Sequence, residues 1–226
     1  MPTRQGHEKE LSVASVRSTL RSVTVYDQFA LLGKFDALWL SDSVRSTFAR
    51  MYALKWGKSP EQAEQFVARQ QEENRRFISF YLFYPFDLMP LGMIDSVWSI
   101  FLQIDGKTDR SYPPLEIKTI ELSPEYQHMV GSIYTRFKQV YELKFDATNS
   151  DDQQLISPNT KQIALCFRSV TKEVSLVWQL HDGELVLSAR AKGPVKRSAS
   201  WAEENVYGSG HVKTFPKKKT RKTAGR

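Results

Sequence analysis

Between Arg76 and Ile104 the chain carries two apolar runs joined by a loop containing Pro and Gly, and these runs constrain the fold more than any other stretch. From Phe77 to Tyr84 both alternating sets are apolar: Phe77, Tyr81 and Phe83 against Ile78, Phe80, Leu82 and Tyr84. Successive side chains of a strand point to opposite faces, so a strand apolar on both must be covered on both. The second run places Trp98, Ile100, Leu102 and Ile104 on one face and Ser99 and Gln103 on the other, and is read as the partner of the first. Both describe a core rather than a site.

Around this centre the chain alternates with a period of two. Val23 to Phe29 reads as a strand, and residues 30–40 are ambiguous because Gly33 interrupts them. Two helices are expected next. Ser41 and Asp42 are N-cap types, and Val44, Phe48, Tyr52 and Trp56 form a stripe that ends at Gly57, a residue suited to a left-handed cap. Ser59-Pro60-Glu61-Gln62 combines an N-cap, a first-turn proline and a capping-box Gln. The second helix has few apolar residues, Ala63, Phe66 and Val67 among them, so most of it faces water. Pro113-Pro114 precedes a strand from Leu115 to Leu122 whose apolar positions change parity, which suggests a β-bulge. Ser123 to Phe137 reads as loop or one helical turn, pinned by Tyr126, Met129, Ile133, Tyr134 and Phe137. Tyr141 to Phe145, Ile163 to Phe167, Val174 to Leu180 and Leu185 to Ala189 complete the strands, the last two joined by an Asp182-Gly183 hairpin signal. The fold expected is mainly β with an α insertion: an antiparallel, Ig-like β-sandwich bearing a two-helix hairpin at about 42–75. The boundaries expected are a mobile leader over 1–20, one domain over 21–192, and a disordered basic tail over 193–226.

The net charge of +7 is concentrated rather than spread. Residues 217–226 hold six of the 32 Lys and Arg and no acid, which leaves 26 basic residues against 25 acidic. Lys217, Lys218, Lys219, Arg221, Lys222 and Arg226 are therefore the candidate contacts to a polyanion, whether RNA, DNA or acidic lipid. One cysteine, Cys166, excludes an internal disulfide and any multi-thiolate zinc site. No signal peptide, lipid-attachment cysteine or apolar run of ~18 residues is seen, so the chain as given is expected to be cytoplasmic and without a membrane span.

Catalytic residues, cofactor sites and metal ligands are all read as absent. His7, His128, His181 and His211 lie in the leader, a loop, a turn and the tail without metal-ligand spacing. Cys166 lies among strand residues with no local base or oxyanion motif, and is read as an inert thiol. Asn149-Ser150-Asp151-Asp152 supplies oxygens in a row but not the twelve-residue spacing of a calcium loop. No dinucleotide, P-loop, serine-hydrolase or zincin motif occurs. Aromatics alternate with Ser, Gln and Glu instead of Lys and Arg, which favours packing over base stacking.

Taken together, YDQF…ALWLSDSVRSTFARMYALKWG, FYLFYPFD, SVWSIFLQIDG, PLEIKTIEL and YTRFKQVYELKFD, across about residues 23–180, resemble a group of bacterial envelope lipoprotein-like proteins with no established activity. The resemblance implies an envelope location but carries no functional residues, and this chain departs from the pattern in lacking a lipobox and in having the basic tail. The function expected is a non-enzymatic module that binds or scaffolds a protein partner, at the envelope if the resemblance holds; the alternative is nucleic-acid association through the tail.

Overall fold

In the computed structural model, residues 13–88, 94–107, 110–149, 151–182 and 184–185 are described. A helix α1 (13–19) leads into β1 (Leu20–Asp27) and β2 (Ala30–Trp39). Helices α2 (Asp42–Lys55) and α3 (Pro60–Arg76) come before β3 (Phe77–Pro85). Then follow β4 (Ser99–Ile104), β5 (Glu116–Thr119), α4 (Pro124–Val130), β6 (Lys138–Asp146), β7 (Gln162–Arg168), β8 (Glu173–His181) and β9 (Glu184–Leu185). All pairings are antiparallel, in one sheet ordered β1-β2-β3-β6-β5 and another ordered β4-β7-β8-β9.

The doubly apolar run is β3, at the middle of the five-stranded sheet, and its two faces serve two cores. Ile78, Phe80, Leu82 and Tyr84 share a core with Trp98 and with Ile100, Leu102, Ile163, Leu165, Phe167, Leu176 and Trp178 from the second sheet. Phe35 stacks on Phe167 with centroids 4.0 Å apart and meets Trp98 edge-on at 5.0 Å. Gly33 is what lets Trp98 in: a Cβ there would lie 3.0 Å from the Phe35 ring and 3.2 Å from the Trp98 ring. On the other face, Phe83 joins Leu38, Leu40 and Val140 against Val16, Val44, Tyr126, Met129 and Val130 from the helical side. At the margin polar bonds tie β8 to the end of α1 and to β1, the Trp178 indole donating to Thr19 O at 2.6 Å and Arg21 Nε to Val177 O at 2.9 Å.

Several expectations are corrected. The run beginning at Trp98 does not pair with β3; β4 pairs with β7 and faces β3 across the core. Both edges of β3 are occupied by β2 and β6, and residues 86–98 make too long a connection for a tight hairpin. Residues 13–19 are helix rather than leader, with Val16 and Thr19 buried. Residues 30–39 are a full strand, its pairing to β1 irregular at Val25/Tyr26. No bulge interrupts the shorter β5, and its parity change is ordinary alternation between two covered faces. Ile117 packs on the inter-sheet core and Ile120 on the helical one. Ser123 caps α4, and Phe137 is exposed instead of pinning that segment.

In α2 the buried face is Val44, Arg45, Ala49 and Ala53, about a quarter-turn from the expected stripe, so Trp56 is exposed. The cap signals are met residue for residue. Ser41 accepts from Val44 N, Gly57 has φ +58°, and Ser59 with Gln62 forms a reciprocal capping box ahead of Pro60 at the start of α3. Nothing in α3 is fully buried. The strand expected over Leu185–Ala189 begins at Glu184, and the rest of it, like the domain end near 192, falls outside the described residues.

Candidate functional site

The antiparallel registers sort the connections to two ends of the sheets. At one end Pro85 pairs with Lys138, Ser99 with Arg168, and Arg168 with Glu173. The turn between β1 and β2 joins this end through Lys172 Nζ, 3.3 Å from Asp27 Oδ1. Ten large hydrophobic residues are exposed among the described residues, and seven of them sit here: Tyr26, Phe29, Leu31, Phe86, Val97, Phe137 and Val170. Phe29 and Val170, at turns from each sheet, are 101% and 97% exposed. Exposed apolar residues are ordinary when scattered; here they gather at one end of the sheets. Their charged neighbours are of both signs and largely paired, as in Arg168–Glu173 at 2.8 Å.

At the other end the N-terminal turn of α2, the last turns of α3, the start of β3 and the loop after β6 enclose a cleft of about 740 Å³. Trp39 and Phe77 supply aromatic surface, and Ser43, Ser46, Gln71, Asn74, Gln154 and Ser157 supply hydroxyls and amides. These polar groups are held from behind. Asn74 Nδ2 donates to Asp42 Oδ1 at 2.8 Å, Gln71 Nε2 to Ser46 Oγ at 3.2 Å, and Gln154 Nε2 to Arg75 O at 3.2 Å.

Behind the cleft lies a buried ionic network that joins the two long helices. The Arg45 guanidinium donates from Nε to Asn74 Oδ1 at 2.6 Å and from Nη1 to Gln70 Oε1 and Glu73 Oε2 at 3.2 and 3.1 Å. Its Nη2 is buried and has no partner. Glu73 also approaches Lys144, which lies 3.8 Å from Glu142. Burial pushes the Glu142 carboxyl up from its ordinary value, and it pushes the Tyr81 and Tyr126 hydroxyls up strongly. The opposite holds at Glu125, whose carboxyl is lowered by accepting from Lys55 Nζ at 2.7 Å.

The structure separates the residues singled out by sequence. Lys217, Lys218, Lys219, Arg221, Lys222 and Arg226 lie outside the described residues, as do His7 and His211. His128 is exposed on α4, and exposed His181 has Nδ1 3.0 Å from Asp182 Oδ2. Cys166 is 1% exposed beside Gln103 Oε1. The Asn149–Asp152 loop is organised by its own side chain, Asn149 Oδ1 accepting from the amides of Asp151 and Gln153 at 2.9 Å. Among the described residues no group of three or more His, Cys, Asp or Glu is placed to hold a metal ion. Nor is any described helix long and apolar enough to cross a membrane. The cleft and the apolar end both escaped sequence reasoning, because each is assembled from segments far apart in the chain. A signal for Arg45 was present, since it shares the face of Ala49 and Ala53, small residues that let two helices approach.

No protein-family model, curated protein or solved structure matches this chain.

Proposed function

We propose that the chain is a non-enzymatic, Ig-like β-sandwich module that docks a protein partner through its apolar loop end. The observation that carries this is that, among the described residues, seven of ten exposed large hydrophobics gather at one end of the two sheets, five of them on connections between strands. The strand order supports the Ig-like part. With β1 and β9 set aside as added edge strands, β2-β3-β6-β5 over β4-β7-β8 follows the A-B-E-D over C-F-G order of an Ig constant domain. The helical hairpin α2–α3 then lies between the first two strands. In that scheme the β3–β4 and β7–β8 connections occupy the positions of the B–C and F–G loops, the end through which variable domains bind. This is an analogy of fold and supports a place, not a partner.

The physical case rests on desolvation. Aromatic and aliphatic side chains at a fully exposed tip gain most from transfer out of water, at ~25 cal/mol per Å² of apolar surface covered. The balanced charges around them favour a mixed protein surface over a strongly charged polymer. An envelope location, implied by the resemblance of the sequence, belongs to this proposal.

The test is photo-crosslinking in the native host, with benzoylphenylalanine replacing Phe29 or Val170, and Arg69 on exposed α3 as the comparison position. A discrete protein adduct, identified by mass spectrometry and formed from 29 and 170 but not 69, is expected. Adducts of equal yield from all three positions, or from none, would contradict the reading.

A further inference from the structure

We propose that the polar cleft at the opposite end binds an uncharged carbohydrate. Its volume of about 740 Å³ lies within the ~300–1,000 Å³ range of small-ligand sites. That range admits many ligands, so the lining must decide the class.

The first deciding feature is Trp39. It lines the cleft at 6% exposure, and its indole N–H donates to no residue. Unlike Trp98 Nε1, it is not a sealed, unpartnered atom, so it is free to donate to a ligand or to water. Half-buried Phe77 offers apolar surface of the kind the C–H face of a sugar ring covers.

The second feature is the unused capacity of the walls. Gln71 and Gln154 each spend one amide hydrogen on a neighbour, which orients the side chain and leaves its carbonyl oxygen to accept. Ser46 accepts from Gln71 and keeps its own hydrogen to donate. The lining therefore presents both donors and acceptors. Sugar hydroxyls, each both donor and acceptor, match such a lining; an anion would leave the acceptors facing like charge. Asp42, Arg75 and Asp182 are the cleft's charges, two negative and one positive, and they give it no strong sign.

The test uses the full chain with maltotriose, cellotriose and tri-N-acetylchitotriose as probes, read by saturation-transfer NMR and by titration of tryptophan fluorescence. Gln71→Ala and Gln154→Ala remove wall acceptors from partly or wholly exposed side chains, so the fold is retained; unchanged circular dichroism verifies this. Saturable binding of at least one probe, weakened about tenfold by each variant and unchanged by Lys107→Ala, is expected. Lack of saturable binding by all three probes up to ~10 mM, or binding indifferent to both wall variants, would overturn the proposal. So would tighter binding of a mixed tryptic peptide digest than of any probe.

Discussion

Trp98 shows how much of the molecule hangs on a single side chain. It is 1% exposed, meets Phe35 edge-on, and occupies space that Gly33 leaves open. Trp98→Ala is expected to cost ~3–5 kcal/mol, because neighbouring rings cannot collapse into the void; a melting temperature within a degree or two of wild type would show that the packing is otherwise. A different physics governs Asp36 and Lys138, paired at 2.7 Å with side chains 2% and 11% exposed. Desolvation offsets much of such a pair's attraction, but deleting one partner strands the other. Lys138→Ala should lose ~3–5 kcal/mol, leaving Asp36 with the Ser22 hydroxyl, and adding Asp36→Ala should recover part of that loss. Denaturant titration of the two single variants and the double variant measures the coupling.

Among the elements, those with local signals were legible in the sequence and those made by distant contacts were not. The two helix entries at Ser41 and Ser59 follow from side-chain chemistry within four residues, and each formed where expected. Strand faces were legible too, since alternation reports burial directly: the two sets of β3 do go to two cores. Which strand pairs with which was not, because pairing is decided by free edges, as the misplacement of β4 beside β3 shows. The rotation of α2 was hidden because a buried Arg answers to partners on α3 that periodicity cannot reveal. With nothing in α3 fully buried, its first turn depends more on capping than on packing, so Ser59→Ala is expected to destabilise by ~1 kcal/mol. Two carboxylates give opposite pH signatures. Burial raises the pKa of Glu142, so its stabilising contribution is present at low pH and lost as pH rises through its folded value. The Lys55 bond lowers that of Glu125, so its contribution is present above the ordinary carboxylate range and lost as pH falls through the lowered value. At pH 7, Glu142→Gln should raise the melting temperature and Glu125→Gln lower it, and both differences should shrink as pH falls.

For the whole molecule, the two ends differ in chemistry: apolar loop tips at one, a polar cleft at the other. The sequence has a third feature in residues 217–226, with six cations and no apolar residue larger than Ala224. Deleting them should leave the melting temperature unchanged and remove any polyanion binding; six phosphate contacts on duplex DNA would give a log–log salt slope near ~−5. The central claim, docking through the loop end, is tested most directly by the affinity of the purified crosslinked partner for wild type, Phe29→Ser/Val170→Ser and Trp56→Ser, measured calorimetrically. Trp56 is 59% exposed at the C-terminus of α2 and is not one of the seven, so it controls for apolar surface as such. The account predicts a loss of at least ~30-fold for the double variant, the size of a hot-spot truncation, with Trp56→Ser unchanged. An unchanged affinity for Phe29→Ser/Val170→Ser, or an equal loss for Trp56→Ser, would contradict it.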